Sequence, residues 1–438
     1  MPDPGCSADR QPLRQDQDAA GSTLFVVDWD PAGARELQHR LTSPGFRIGA
    51  VHGPSWQVLN CPTTALQAGA AGRGLARAAQ GWRYLRTALQ AAWHSRRYGQ
   101  VVVWRQSIGF LLCALPRWPA GLCAQGRRPQ WVLTTVLLSP SSTAPGSWRR
   151  WLLELALRRA DALIYFSRDM ALDTAQHRPA SAHKVFWMPL PLFGEPGGHA
   201  PLAHPDDPGL DDPAGAAAPS SPAETAGAED PTAQDTLTPS VFCGGTSDRD
   251  FDVVIEAFRQ RRVPVTLVCR EDQTFRPPGP VEPHFTVRRG VSEQEYHALA
   301  AAAGVVVVAL KSATSGCGQL LFSFCMRHGV PVIATDCFGT RDEVVHGRTG
   351  WLVPAGDAHA LGQAYDRLAA DPGLRRRLVR QARAQALSRQ EGLAGFVSAM
   401  NALGDTLRGA PAPEAPRFPQ RPRGTAARAA DHPIGEAA

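Results

Sequence analysis

Two stretches of the chain alternate short apolar runs with longer amphipathic segments, and this alternation constrains the fold more than any other feature. In the first stretch, apolar runs of four or five residues occupy 24–27, 101–104 and 162–166, with helix-like spacing between them. The second stretch repeats the pattern from residue 241 onward. Short buried strands separated by helices form βαβ units, which build parallel sheets. The sequence therefore predicts an α/β fold with two doubly wound, Rossmann-like domains.

The composition changes where the two stretches meet. Residues 193–239 are rich in Pro, Ala, Gly, Asp and Thr and almost lack large apolar side chains, so we expect a disordered linker there. The ends, residues 1–21 and 409–438, are predicted to form a disordered arm and tail. The predicted domains are then 22–192 and 240–408, the second including a terminal helix. Ligands of such folds bind beyond the carboxyl ends of the strands, which places the site in the cleft between the domains.

Charge and cysteine usage bear on the cellular setting. The formal net charge is +6, and arginine supplies almost all positive charge because Lys184 and Lys311 are the only lysines. This basic balance reflects either a biased residue usage or an affinity for phosphate or anionic lipid. The nine cysteines lie singly without zinc-like spacing, and residues 1–21 are too polar for a signal peptide. We expect a cytoplasmic protein, with peripheral contact to the inner membrane face as an alternative.

The stretch from Gly329 to Asp357 carries the most specific motif. It begins with G-V-P-V-I-A-T-D, where a helix ends at Gly329 and Pro331 precedes a buried strand. It continues with G-T-R-D-E-V and then G-R-T-G-W-L-V-P-A-G-D. These elements in this order resemble the donor domain of retaining GT-B glycosyltransferases of the group 1, or family 4-like, type. The resemblance is clearest over residues 241–390. It implies two Rossmann-like domains facing each other across a cleft and the transfer of a sugar from a nucleoside diphosphate.

A glycine-rich turn follows the first strand of the second domain. Gly244 and Gly245 end that strand, and Arg249 precedes the next helix. Glycines let backbone amides approach a phosphate, and a helix start adds the positive end of its dipole. Arg249 then either binds the donor diphosphate, as the resemblance implies, or pairs with Asp248 or Asp250 in a plain turn.

A second loop of small residues precedes a helix. Ser315, Gly316 and Gly318 come directly before Gln319, and such a loop forms a nest of amides for an anion. Lys311, at the exit of the preceding strand, is either a donor contact or a solvated charge.

Together these segments give the expected donor site. Arg249 and Lys311 are the residues expected to stabilise the leaving diphosphate, as catalysis by charge stabilisation requires. The remaining expected donor contacts are Gly244, Gly245, Ser315, Gly316, Gly318, Gln319 and, from the resemblance, Asp342. No metal or cofactor is expected, because the nucleotide sugar serves as a co-substrate.

The chain also departs from the family it resembles. That family carries two glutamates eight positions apart across this loop and helix, and the second binds the ribose hydroxyls. Counting back from Gly329, these positions hold Gly316 and Phe324. Two alternatives to an active transferase therefore stay open, a catalytically silent GT-B homologue that acts as a binding protein and a nucleotide-sugar epimerase.

The first domain offers fewer candidates for the acceptor side. Arg105 and Gln106 follow a buried strand at the expected cleft edge, and Thr135 is a further polar candidate. Asp30 is a minor candidate for acceptor activation, although the D-x-D at Asp28 more simply caps a helix after Pro31. A further D-x-D, from Asp248 to Asp250, is too short a pattern to predict a metal site. Ser167 either lines the cleft or caps a helix.

A stripe of tryptophans lies on the long predicted helix at residues 75–93. One side of it holds Leu75, Ala79, Trp82, Leu85, Leu89 and Trp93, and arginines lie mostly elsewhere. The stripe is interpreted as the face that packs on the sheet, and a basic helix resting on anionic lipid is the alternative.

The expected activity is hexosyl transfer, with retention, from a nucleotide sugar to a glycan or lipid-linked acceptor in cell-surface polysaccharide or glycolipid synthesis. No nucleic-acid partner is expected, because the chain lacks the aromatic and basic motifs of a known nucleic-acid-binding module.

Overall fold

The protein contains two parallel six-stranded sheets, each covered by helices. The computed structural model describes residues 22–29, 31–42, 56–61, 73–124, 126–191, 239–245, 247–269, 282–388 and 392–409. Two doubly wound domains were predicted, and the two sheets confirm that architecture.

The first sheet has the strand order β2-β1-β3-β4-β5-β6. Its strands are β1 (Thr23–Val27), β2 (Trp56–Asn60), β3 (Gln100–Val103), β4 (Gln130–Leu133), β5 (Ala162–Tyr165) and β6 (Val185–Trp187). All neighbouring strands pair in parallel. The side chains of β1, β3, β4 and β5 are buried throughout, as expected for a parallel sheet that is covered on both faces.

Five helices connect these strands. They are α1 (Pro31–Thr42), α2 (Arg73–Ser95), α3 (Gln106–Ala114), α4 (Trp148–Arg159) and α5 (Arg168–His177). Helices α2 to α5 contribute Ala88, Ile108, Leu153 and Met170 to one core cluster. Leu37 of α1 belongs to the cluster on the opposite face of the sheet. This division follows from the right-handedness of parallel crossovers. The chain moves from β1 to β2 on one side and then adds β3 to β6 on the other side, so α1 lies on one face of the sheet and α2 to α5 lie on the opposite face.

The second sheet has the order β12-β11-β10-β7-β8-β9. Its strands are β7 (Val241–Gly244), β8 (Val265–Cys269), β9 (Phe285–Arg289), β10 (Val305–Val308), β11 (Val332–Thr335) and β12 (Trp351–Val353). Its helices are α6 (Phe251–Phe258), α7 (Glu293–Ala301), α8 (Gln319–His328), α9 (Ala358–Ala370) and α10 (Pro372–Ser388). Strand order reverses between β10 and β7, so the loops that leave these two neighbours diverge and open a crevice.

Local capping chemistry sets several helix ends. Asp250 and Asp357 accept hydrogen bonds from the backbone N–H groups of Val253 (3.2 Å) and Ala360 (2.8 Å), as N-caps do. Gly329 ends α8 with φ +73°, a left-handed conformation that glycine adopts without strain. Asp250, part of a D-x-D, is therefore occupied as a helix cap.

The last helix, α11 (Gly392–Leu407), corrects the predicted domain boundary. It was assigned to the second domain, but its apolar side packs on the sheet of the first. Phe396 is fully buried, with ring centroids 5.5 Å from Phe25 and 5.8 Å from Trp104. The amide of Gln100 donates to the carbonyl of Met400 (3.1 Å), which ties the helix to β3.

Two elements of the first domain were absent from the prediction. β2 is an edge strand with a mixed, half-buried sequence, and α3 follows β3 after only two residues. Among the described residues, no helix is long and apolar enough to span a membrane.

Candidate functional site

The candidate site lies at the carboxyl ends of β7 and β10, where the strand order of the second sheet reverses. Residues 244–250 lead from β7 into α6, and residues 309–318 lead from β10 into α8. The amide of Asp250 donates to the carbonyl of Ala309 (3.0 Å). The amide of Lys311 donates to the carbonyl of Asp248 (3.2 Å), so the two loops form one continuous floor.

Arg249 lies buried beneath the first of these loops. Its Nε donates to the carbonyl of Gly244 (2.8 Å), and one terminal nitrogen donates to the carbonyl of Ser247 (3.2 Å). Gly245 has φ +133°, and a Cβ there would lie 2.6 Å from the guanidinium, so only glycine fits. No ion pair with Asp248 or with any other described carboxylate forms. The plain-turn alternative is therefore wrong in its partner, and the buried cation has no described counter-ion.

The loop before α8 presents unpaired amides. Within the described part of the chain, the backbone N–H groups of residues 316–320 donate no hydrogen bond. Gly318 precedes the helix at φ +106° and provides no side-chain cap. The Gln319 amide donates to the carbonyl of Gly316 (2.8 Å), which holds the loop in its curved form. A curved run of free amides at a helix start is a binding geometry for an anion.

The side chains around this loop are polar and buried. Ser315 is 6% exposed, and its hydroxyl has no oxygen or nitrogen partner in the described residues. Burial raises the pKa of the neighbouring Cys317 thiol, and the Ser315 hydroxyl and the charge of Arg249 oppose that rise. The charge of Arg249 therefore acts on the Cys317 side chain of this loop. Lys311 is exposed at its edge and has no described side-chain bond.

The two positions that lack glutamates are filled in different ways. A Cβ on Gly316 would overlap Sδ of Met170, which comes from α5 of the first domain. Phe324 is buried between two imidazoles, with ring centroids 4.5 Å from His297 and 4.0 Å from His328. Phe324 thus forms an aromatic stack at its position, and the Met170 side chain from the first domain covers Gly316. Sequence analysis missed Met170, since nothing in the local sequence connects it with Gly316.

Asp342 lies at the contact between the two domains. Its carboxylate accepts a hydrogen bond from the backbone N–H of Arg168 (2.6 Å), the first residue of α5. Ser167 is the N-cap of that helix, as its capping interpretation predicted, and its hydroxyl also donates to the carbonyl of Phe338 (2.6 Å). Arg341 adds ion pairs to Asp169 and Asp336. The side chain of Asp342 is therefore engaged across the cleft rather than turned towards the loop at Ser315.

The first domain presents a paired charge at the corresponding edge. Arg105 forms an ion pair with Asp28 (3.2 Å), whose side chain is 7% exposed. Burial raises the pKa of the Asp28 carboxyl, and the Arg105 charge lowers it by less. Gln106 accepts a hydrogen bond from the backbone N–H of Leu137 (3.0 Å) and so fixes the loop after β4. Asp30 lies outside the described residues.

Thr135, two residues beyond β4, is the strained residue of this edge. Its φ is +52°, which is costly for a β-branched side chain. Its hydroxyl oxygen is buried without a hydrogen-bond partner among the described residues. Strain combined with an unsatisfied polar atom is typical of ligand sites, and sequence alone named the residue without showing this conformation.

The residues of the Gly329–Asp357 motif mostly shape the backbone around the site. The Thr340 hydroxyl donates to the carbonyl of Thr335 (2.6 Å) and accepts from the amide of Cys337 (3.0 Å). A Cβ on Gly339 would lie 2.7 Å from the carbonyl oxygen of Cys317, so this glycine permits the close approach of the two loops. The motif therefore supports the amide loop rather than supplying its charges.

Comparisons with known proteins agree with this architecture. Sucrose-phosphate synthase from Thermosynechococcus elongatus is similar over 89% of this chain and 99% of that chain, with a TM-score of 0.55 and 18% identity. Anabaena Alr3699/HepE in complex with UDP-glucose is similar over 88% and 99%, with a TM-score of 0.53 and 15% identity. A glycosyltransferase from Rickettsia africae is similar over 88% of this chain and 98% of that chain, with a TM-score of 0.51 and 11% identity. No curated protein matches the chain by sequence.

The two sheets and these similarities define a protein of the GT-B fold, as predicted. Residues 240–371, most of the second domain, match the family model described as glycosyl transferases group 1. The resemblance of this region to group 1 glycosyltransferases is confirmed, the retaining outcome stays a prediction, and the match covers both loops of the candidate site.

Proposed function

We propose that the protein is a glycosyltransferase that binds a nucleoside-diphosphate sugar at the second domain and transfers the sugar to a glycan or lipid-linked acceptor at the first. The observation that carries the proposal is the run of free amides at residues 316–320, next to the buried Arg249. Anionic phosphate oxygens would satisfy both groups. Support comes from the family match over the same residues, and from the neighbour Alr3699/HepE, which is described with UDP-glucose.

The proposed chemistry requires electrostatic stabilisation of a leaving diphosphate. Negative charge builds on the phosphate oxygens as the sugar–oxygen bond breaks, and preorganised amides and a buried cation lower the energy of that state. Lys311, exposed at the rim, would add a mobile positive charge. In a retaining reaction no protein nucleophile is needed, because the acceptor hydroxyl arrives on the face that the diphosphate leaves.

The acceptor is proposed to lie against the edge formed by Arg105, Gln106 and Thr135. The unsatisfied hydroxyl of Thr135 supports this placement, since a sugar hydroxyl could donate to it or accept from it. Synthesis of a surface polysaccharide or glycolipid is proposed on the resemblance alone.

Calorimetric titration with UDP and with GDP tests the donor site. We expect one of them to bind the wild-type chain, and Arg249→Gln to weaken its binding by about 10–100-fold, since a charge-assisted hydrogen bond contributes about 1.5–3 kcal/mol. Arg377→Gln, at an exposed arginine of α10, is the matched control and should bind as the wild type does. Because Arg249 also holds the turn, the melting temperature of each variant is measured alongside.

Gly318→Ala provides a variant that alters no charge. A Cβ at φ +106° strains the loop and lies 2.7 Å from the Phe322 ring, so the amides must move and nucleotide binding should fall. Failure of the wild-type chain to bind either nucleotide would refute the donor site.

The second candidate function is a catalytically silent binding protein. Gly316 stands where the family carries a glutamate, and the Met170 side chain covers it. This replacement favours the silent binding protein. Incubation with UDP-sugars and GDP-sugars separates the alternatives. Nucleotide binding without release of UDP or GDP in the presence of candidate acceptors favours the silent homologue, and conversion of the donor sugar without an acceptor favours an epimerase.

A further inference from the structure

Helix α2 has its large and small side chains on unexpected sides. Trp82, Leu89 and Trp93 are 64%, 46% and 53% exposed. The side packed against the sheet holds small residues instead, among them Ala88 and Ala91, which are fully buried. The stripe that was expected to pack on the sheet therefore points away from it, and that interpretation of the sequence is wrong. A surface helix normally buries its large apolar side chains, so a stripe that the described residues leave largely exposed indicates a partner that it contacts.

The neighbouring helices extend this uncovered stripe. α2 contacts α3, and α3 contacts α4, so the three lie side by side on one face of the first sheet. At the start of α4, Trp148 and Trp151 are 68% and 61% exposed. Leu122, in the turn that follows α3, is 62% exposed. We call the six residues Trp82, Leu89, Trp93, Leu122, Trp148 and Trp151 the tryptophan face.

The sequence around the tryptophan face carries charge of one sign. Residues 37–153 contain fourteen arginines and neither aspartate nor glutamate. Since the whole chain has a net charge of +6, all other residues together carry a net charge of −8. Within the face, Arg86 is exposed between Trp82 and Leu89, and the guanidinium of Arg149 lies 5.6 Å from the Trp148 ring. The segment that carries the tryptophan face is therefore strongly basic, and Glu154, the first acidic residue after it, is paired with Arg150 and Arg178.

We propose that the tryptophan face docks the first domain onto an anionic lipid bilayer. Tryptophan rings prefer the level of the headgroups, where an apolar ring and a polar N–H are both satisfied. Leucines enter the apolar boundary below, and arginines pair with lipid phosphates at the same depth. Each class of residue on the face thus has a partner in a bilayer, and the proposal does not depend on the donor site.

A nucleic acid fits this surface less well. Aromatic side chains and arginines also bind single strands, through stacking on base rings. The face contains aliphatic Leu89 and Leu122, which are 46% and 62% exposed and offer no ring for stacking. A bilayer accepts aliphatic, aromatic and basic side chains together, so it is the occupant that the composition of the face favours.

Vesicle sedimentation of the full chain tests the proposal. Vesicles of equal parts phosphatidylcholine and phosphatidylglycerol should sediment the wild-type chain, and vesicles of phosphatidylcholine alone should not. The variant Trp82→Ala, Trp148→Ala, Trp151→Ala removes three exposed rings and should reduce the partition coefficient by about tenfold or more, because the apolar area that enters the boundary falls. Val345→Ala, an exposed apolar residue of the second domain, should leave binding unchanged.

A matched pair of charge variants distinguishes local docking from general attraction. Arg86→Ala with Arg149→Ala should weaken binding about 20–30-fold, since each arginine near an anionic surface contributes about a fivefold factor. Arg377→Ala with Arg380→Ala changes the net charge equally on α10 of the second domain and should change binding far less. Equal losses in the two pairs, or retention of binding in the tryptophan variant, overturn the proposal.

Fluorescence anisotropy with a labelled polyuridylate strand tests the competing partner. The lipid proposal is contradicted if the wild-type chain binds that strand, the tryptophan variant does not, and neither vesicle sediments the wild-type chain. Every variant changes residues that are exposed and distant from the described core, so the melting temperature should stay within a few degrees of the wild-type value.

Discussion

The carboxyl edges of the two sheets present different kinds of polar groups. The edge of the second sheet is built from backbone: free amides at 316–320, glycines at strained φ values, and one buried arginine that bonds to carbonyls. The edge of the first sheet is built from side chains, namely the Asp28–Arg105 ion pair and a strained threonine. In the proposed function, the second edge binds a phosphate, which needs the same amide geometry in every donor, and the first edge contacts the acceptor.

This contrast explains why only one half resembles a known family. A close approach or a positive φ requires glycine at Gly245, Gly318 and Gly339. The backbone conformation of this edge therefore fixes residue types that can be recognised in the sequence. Arg105 has an ordinary extended backbone conformation, with φ −91°, that many residue types adopt. Motifs in the sequence therefore identify the second edge, and the first edge becomes visible only in the structure.

The largest expected effect tests whether the two halves are energetically separate. Phe396→Ala removes a fully buried ring from the contact between α11 and the first sheet and should cost about 3–5 kcal/mol of unfolding free energy. Calorimetric melting should show the loss in the transition of the first domain, while the affinity for UDP or GDP of the folded chain is unchanged. A parallel loss of nucleotide affinity would show that the halves are coupled.

The contact between Gly316 and Met170 should have the next largest effect. Gly316→Ala places a Cβ on Sδ of Met170 and should destabilise the closed arrangement by about 1–3 kcal/mol, as overpacking does. Met170→Ala makes room for the added methyl group. In a double-mutant cycle measured by urea unfolding, the combined variant should recover about 1 kcal/mol or more. Simple additivity would mean that the two residues do not touch in solution.

Thr135→Gly probes the strain at the first edge. Relief of the left-handed conformation should stabilise by about 1–2 kcal/mol, and the added freedom of glycine in the unfolded state should offset about half of that. We expect a net rise of about 0.5–1 kcal/mol in unfolding free energy and a slower transfer rate. Thr135→Ala, which removes the hydroxyl and keeps the strain, is the control. An unchanged melting temperature in the glycine variant contradicts the strain.

The smallest expected effect concerns the pH dependence of stability. Burial raises the pKa of Asp28 in the folded chain, so the folded state holds this proton more tightly than the unfolded state. Its contribution to stability is complete below the ordinary aspartate range and is lost as the pH rises through the raised pKa. Asp28→Asn should therefore be the more stable protein at neutral pH, and its advantage should vanish as the pH falls below about 4. Melting curves across this range check the sign.

The features that sequence could predict are those that repeat locally. Alternation of apolar runs gave both sheets, and the motif from Gly329 gave the family of the second domain. Sequence could not show that Met170 covers Gly316, because these residues are far apart in the chain and no periodic pattern joins them. The tryptophan stripe shows a different limit. Its spacing defines one side of a helix, but spacing alone does not say whether that side is covered.

The placement of α11 sets a mechanical limit on the cleft. Helix α10 packs in the second domain and α11 packs on the first, and only residues 389–391 separate Ser388 from Gly392. Four peptide steps reach at most about 15 Å, so the domains cannot separate further at that point. Opening of the cleft requires rotation about this point and the loss of the bonds that Asp342 and Ser167 form between the domains. The opening available to a substrate is therefore set by an angle rather than by a distance.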